Sequence, residues 1–216
     1  MQYLQFNNHD KMPMLGLGTW KSARGEIYQT VRKAIEIGYR HFDCAFIYGN
    51  ENEIGQAISD AMGNKEVTRD ELWITSKLWN NRHKKADIQS AIETTLASLK
   101  LEYVDLYLIH WPVAIKYEVH YPQNGSEMED LKHLPLAETW QGMIALKDKQ
   151  WAKHIGVSNF SIKKINQLIA DTGICPEALQ LELHPFLQQK NVLDFANANG
   201  IALTGYCPLG SADRPA

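Results

Sequence analysis

Val104-Asp-Leu-Tyr-Leu-Ile-His110 is a short apolar run that ends on a histidine. Six further bursts share this form, at residues 15–18, 39–43, 72–77, 154–158, 179–182 and 202–206, and each reads as a short buried strand. Between them apolar residues recur at three-and-four spacing, as in Ile88, Ile92, Leu96 and Leu99, or Ile162, Ile165, Leu168 and Ile169. That spacing gives a helix one apolar face. Strand and helix in uninterrupted alternation imply right-handed parallel crossovers, which leaves two architectures, an open doubly wound sheet or a TIM barrel. Periodicity is compatible with both. Upstream, residues 3–6 and 12–15 flank the turn-forming Asn7-Asn8-His9-Asp10 and predict a small opening hairpin. Residues 113–133, with Tyr117, Tyr121, Pro122 and Gly125, are too many for a routine connection and predict a functional loop beside the fourth strand.

With 216 residues, 44% of them hydrophobic, the chain can bury one sizeable core, so a single domain over residues 1–216 is expected. A net charge of −3 provides no basic field for a polyanion, which argues against nucleic acid as a partner. No apolar run approaches the roughly 20 residues that span a bilayer, and the opening residues lack the apolar core of a signal peptide. A soluble, cytoplasmic protein with no membrane partner follows. Cys44, Cys175 and Cys207 form neither an even disulfide framework nor a CxxC pair, in keeping with a reducing compartment.

The chemistry gathers where the strands stop. Their last residues are Asp43, Lys77, His110, Ser158 with Asn159, Gln180 with Glu182, and Tyr206, almost all polar. In either architecture the C-terminal strand ends form the site face. Tyr48 follows Asp43 by five residues and lies in the loop above the second predicted strand, within reach of a bound carbonyl. A phenol titrates near pH ~10, and a neighbouring ammonium lowers that value by stabilising the phenolate. Lys77 can supply the ammonium, and Asp43 can pair with Lys77 and fix its direction. His110 can donate a hydrogen bond to the substrate oxygen. Each residue alone also fits a capped strand end or a satisfied core hydrogen bond; their common register is what points to a site. A metal-dependent hydrolase built on His110, Glu182 and His184 lacks a His-x-His pair on the first strand and leaves Tyr48 and Lys77 without a task.

Leu15-Gly-Leu-Gly-Thr-Trp20, Gly38-Tyr-Arg-His-Phe-Asp43 with Tyr48-Gly-Asn-Glu51, Thr75-Ser-Lys77, Ile109-His-Trp-Pro112 and Ile155-Gly-Val-Ser-Asn-Phe160 together resemble the signature regions of the aldo-keto reductases. The resemblance extends over nearly the whole chain. It implies a (β/α)8 TIM barrel of which this chain holds the first seven βα units, and a tetrad of Asp43, Tyr48, Lys77 and His110. It implies NADP(H) as cofactor, with pro-R hydride transfer to a small carbonyl substrate and Tyr48 protonating the oxygen. No metal is expected. Carried over by position, the nicotinamide carboxamide falls to Ser158, Asn159 and Gln180, and its ring to Tyr206. Thr19, Trp20 and Asp43 fall near the nicotinamide and its ribose, and Leu209, Ser211 and Asp213 on a belt over the pyrophosphate. Gly16-Leu-Gly18 is not a Rossmann fingerprint, because no third glycine follows. Trp20, Ile47, Trp79, His110 and Trp111 are the expected substrate contacts, an aromatic pocket suited to aldehydes such as aldoses and aliphatic or aromatic aldehydes.

The chain ends just after its seventh predicted strand, so the eighth strand, the basic 2′-phosphate site and a substrate-shaping loop are expected to lie outside it. Two sheet edges would then be open. Cys207, beside Tyr206, stands where relatives commonly carry serine. The alternatives are a noncatalytic cofactor-binding interaction protein of the same fold and an inactive truncated fragment. A monomer is the family expectation.

Overall fold

The structure, a computed structural model, describes residues 1–23 and 25–211. Two antiparallel strands, β1 (Tyr3–Gln5) and β2 (Lys11–Pro13), come first. The turn between them closes through the bond from the His9 amide to the Phe6 carbonyl at 2.9 Å, with His9 at φ 72. This is the predicted hairpin, with β1 ending one residue earlier and β2 running from one residue earlier to two residues earlier than expected.

Seven parallel strands follow in sequence order around one sheet: β3 (Leu17–Gly18), β4 (His41–Asp43), β5 (Trp73–Leu78), β6 (Val104–Ile109), β7 (Ala152–Ser158), β8 (Ala178–Glu182) and β9 (Ala202–Tyr206). Six helices alternate with them: α1 (Ile27–Glu36), α2 (Glu51–Gly63), α3 (Lys85–Leu99), α4 (Leu136–Asp148), α5 (Ile162–Thr172) and α6 (Lys190–Ala198). The sheet is a nearly closed barrel of seven strands, so the expected TIM architecture holds and the open doubly wound sheet does not. All six residues of β5 and of β6 are buried, as parallel strands covered on both faces must be. Strand limits differ from the predicted ones by a residue or two. Residues 15 and 16 precede β3, and His110 lies one residue beyond β6, although its amide still donates to the Leu78 carbonyl at 3.1 Å.

Helix faces follow their spacing. Ile27, Val31, Ala34 and Ile35 are the buried stripe of α1, and Ile88, Ile92, Leu96 and Leu99 that of α3. Ser161 caps α5 by accepting from the Lys164 amide at 3.3 Å. The main core fills the space between helices and sheet, where each fully buried aliphatic side chain contributes about 1.5–3 kcal/mol. A second cluster fills the barrel floor: Phe6 and Met12 of the hairpin meet Trp73, Leu106, Leu108, Ala178 and Ala202. Phe6 stacks on Trp73 with centroids 5.3 Å apart and lies 4.1 Å from the His154 ring. His154, fully buried, has Nε2 at 2.9 Å from Asp10 and Nδ1 at 2.9 Å from Glu177. The His154 ring joins the hairpin to the segment just before β8. The hairpin is thus a floor plug, and the other end of the barrel stays open. Among the described residues, no helix is long and apolar enough to cross a membrane.

Candidate active site

The ends of β4, β5 and β6 bring the four candidate residues together. Lys77 is almost fully buried and its ammonium donates to Asp43 Oδ1 and, at 2.8 Å, to the Cys44 carbonyl. Gln180 Nε2 donates to Asp43 Oδ2 at 2.6 Å, so both carboxylate oxygens are held. Tyr48 closes a short 3-10 turn, Phe46–Tyr48, that ends at Gly49 with φ 69, a backbone region that a side chain disfavours. Its ring faces Lys77 Nζ at 5.2 Å from the centroid and meets the His110 ring edge-on at 5.9 Å.

Protonation follows from burial. Burial raises the Tyr48 phenol, and the Lys77 ammonium only partly offsets it, so the phenol titrates above its ordinary value. Proximity to Lys77 alone predicts a lowered value. Desolvation outweighs it, because Asp43 neutralises much of the charge that Tyr48 would feel. For Lys77, burial pulls the ammonium down, but Asp43 and Tyr48 outweigh it and hold the group above its usual range. Burial, with Lys77 adding to it, lowers His110 to about 3, so its ring is neutral at physiological pH. His110 Nδ1 is buried without a partner among the described residues. At neutral pH the site therefore holds a protonated phenol, an ammonium and a neutral imidazole.

These groups open into a cavity of about 460 Å³. Asp43, Tyr48 and His110 line it, while Lys77 sits beneath. The expected substrate contacts Trp20, Ile47, Trp79 and Trp111 line it as well. Trp79 is buried with its ring edge-on to His110 at 5.2 Å, whereas Trp20 and Trp111 are about half exposed at the rim. On the opposite wall lie Ser158, Asn159, Gln180 and Tyr206. Asn159, at φ 63, donates to the His110 carbonyl at 3.0 Å and accepts from the Tyr206 hydroxyl at 2.7 Å. Thr19 also lines the cavity, but its hydroxyl donates to the Asp43 carbonyl at 2.9 Å. Leu209 is exposed, and neither it nor Ser211 lines this cavity; Asp213 lies outside the described residues.

Sequence reasoning missed Tyr121 and Cys207, which line the cavity too. Tyr121 belongs to residues 113–133, which fold back over the site. The Trp79 indole donates to the His120 carbonyl at 2.8 Å, and the Tyr121 hydroxyl reaches the Ile47 carbonyl at 3.3 Å. The aromatic content of that loop was the signal available. Cys207 sits at φ 48, just past β9. Among the described residues, no group of three or more His, Cys, Asp and Glu side chains converges as a metal cluster would.

Residues 14–212 match the Aldo/keto reductase family. The chain belongs to that family. It is 49% identical over its whole length to an aldo/keto reductase of Synechocystis, of which it spans 66%. Aldo-keto reductase family 1 member A1 of Xenopus tropicalis is 44% identical over 99% of the chain, and the human protein of that name 45% over 94%. The chain spans 66% and 63% of these relatives, less than two thirds of their length. Among solved structures, the aldose reductase from Schistosoma japonicum superposes with a TM-score of 0.90 at 39% identity, covering 97% of this chain and 70% of that one. As an aldo/keto reductase chain it carries the barrel of that structure, with seven strands.

Proposed function

We propose that the protein reduces aldehydes and ketones to alcohols with NADP(H), and that Tyr48 is its general acid. One observation carries this reading: a phenol, a buried ammonium tied to a carboxylate and an imidazole meet at one aromatic cavity. His110 donates to the carbonyl oxygen and aims its carbon toward the opposite wall. Tyr48 gives its proton to that oxygen as charge develops there, and Lys77 stabilises the phenolate left behind. Asp43, held by Gln180, keeps Lys77 charged and directed. Trp20, Ile47, Trp79 and Trp111 exclude water and favour apolar aldehydes, including aromatic ones.

The opposite wall fits a nicotinamide. Ser158, Asn159 and Gln180 offer donors and acceptors that match a carboxamide, and Tyr206 offers a flat face beside them. Thr19 and Trp20 flank the ribose, and Leu209, Ser211 and, by likeness to the family alone, Asp213 are the proposed pyrophosphate contacts. When bound, the cofactor supplies the hydride that reaches the carbonyl carbon. A cytoplasmic monomer completes the proposal, by likeness to the family.

NADPH oxidation by the protein across short aldehydes, aldoses and aromatic aldehydes tests it, with Tyr48→Phe alongside. Turnover should fall by about 10²–10⁴ in the variant while cofactor binding persists. No oxidation of NADPH by the parent protein on any of these carbonyls rejects the activity, and equal turnover in the variant rejects Tyr48 as the acid.

A further inference from the structure

Glu51 opens α2, three residues after Tyr48, and its side chain is buried. An acid in a first helical turn is favoured by the helix dipole, yet an exposed acid serves that end without the cost of desolvation. Its partner is specific: Ser76 Oγ, itself fully buried, donates to Glu51 Oε1 at 2.6 Å. Ser76 immediately precedes Lys77 on β5, and successive strand residues point to opposite faces. Lys77 therefore reaches inward to the site, and Ser76 outward to the helix layer.

These bonds grip one loop from both faces of a single strand. The Cys44 amide donates to the Thr75 carbonyl at 2.8 Å, the Cys44 carbonyl accepts from Lys77, and the Glu51 carboxyl accepts from Ser76. Asn50 adds a tie to the end of β3, its Nδ2 donating to the Thr19 carbonyl at 2.8 Å. Tyr48 hangs between the two fixed ends. We infer that Glu51 is a positioning residue: its bond to Ser76 sets the distance between the Tyr48 phenol and the Lys77 ammonium. The inference rests on the proposed role of Tyr48.

The groups that face Glu51 are few. Lys77 acts on it from β5, the Tyr107 hydroxyl from β6, and the Cys44 thiol from the loop after β4. Burial raises the Glu51 carboxyl to about 7, against the pull of the Ser76 and Thr95 hydroxyls and of Lys77. Charged or neutral, the group keeps an acceptor oxygen for Ser76, so the grip persists through that titration.

The test compares Ser76→Ala, Glu51→Ala and Glu51→Gln by kcat, KM and the titration of Tyr48. That titration is the ultraviolet difference signal lost in a Tyr48→Phe background, and it needs no turnover. In Ser76→Ala the Tyr48 midpoint should rise by about one pH unit as the phenol leaves the ammonium. In Ser76→Ala and Glu51→Ala, kcat should fall about tenfold at unchanged KM, as a displaced catalytic group requires. Glu51→Gln, which keeps the acceptor, should recover most of that loss. A lowered melting temperature with unchanged kcat and unchanged Tyr48 titration in Ser76→Ala overturns the inference and leaves Glu51 a helix anchor. If Glu51→Ala does not fold, Ser76→Ala alone decides. If the parent protein reduces no carbonyl, the proposed activity fails, and the Tyr48 midpoint still decides the role of Glu51.

Discussion

The Tyr206 hydroxyl donates to Asn159 Oδ1 at 2.7 Å, and Asn159 in turn donates to the carbonyl of His110. The residue proposed to lie against the nicotinamide ring is thereby linked to the backbone of the residue proposed to orient the substrate. Tyr206→Phe keeps the flat face and removes the link. Cofactor affinity should weaken by about three- to tenfold, the worth of one intramolecular hydrogen bond, as followed by quenching of tryptophan fluorescence. An unchanged dissociation constant would show that the link does not hold the cofactor wall.

Lys77 is the only charge within hydrogen-bonding reach of Asp43 Oδ1 among the described contacts. Lys77→Met removes the group proposed to stabilise the phenolate and strands a partly buried carboxylate. Turnover should drop by about 10²-fold or more, and the melting temperature should fall as well. Restoring the fold with Asp43→Asn in the same chain should recover stability without activity, separating the two roles of the pair.

His110 carries no proton at its second nitrogen at neutral pH, because burial and Lys77 lower it to about 3. Its ring resonances in a nuclear magnetic resonance titration should stay at neutral-imidazole positions from about pH 5 to 8, where an ordinary histidine titrates. A midpoint inside that window would refute the neutral donor. In the proposed mechanism Tyr48 acts in its protonated form, and its value lies above the ordinary phenol. The alkaline fall in kcat/KM that reports its ionisation in the free enzyme should therefore begin only near or above pH ~10.

At the barrel floor, His154 holds Asp10 and Glu177. Burial raises both carboxyls, but the bonds and charge of His154, with Asn8 aiding Asp10 and Lys147 aiding Glu177, outweigh it and leave both below their ordinary 3.8 and 4.5. Depressed carboxyls contribute stability that is complete above those values and is lost as pH falls through the lower folded ones. His154→Gln should cost about 1–3 kcal/mol at neutral pH and flatten the acid limb of the stability curve. An equally steep acid limb in the variant, by chemical denaturation, would locate that pH dependence elsewhere.

The strands were legible because each depends on neighbours close in sequence, and the candidate site because the strand ends share one register. Buried runs ending on Asp43, Lys77 and His110 announce both strand and site. Tyr121 was not legible as a lining residue, since it reaches the site by a loop whose path is fixed by contacts to Trp79 and Ile47 across long stretches of chain. The direction of the Tyr48 shift was also out of reach. It is a balance between burial and Lys77, and sequence reveals the lysine but not the desolvation. For the same reason Glu51 read as part of a motif, and only its partner Ser76 shows why it is buried.

Among the described residues, β3 and β9 each have one strand neighbour, whereas β4 to β8 have two. Strands paired on both sides and covered on both faces open last. Amide exchange should therefore be slowest in β5 and β6, whose residues are all buried. Lys77 and the backbone of His110 belong to this slow-opening part of the sheet. Movement that admits or releases a ligand must then come from the loops above the strands, while the frame beneath them stays shut.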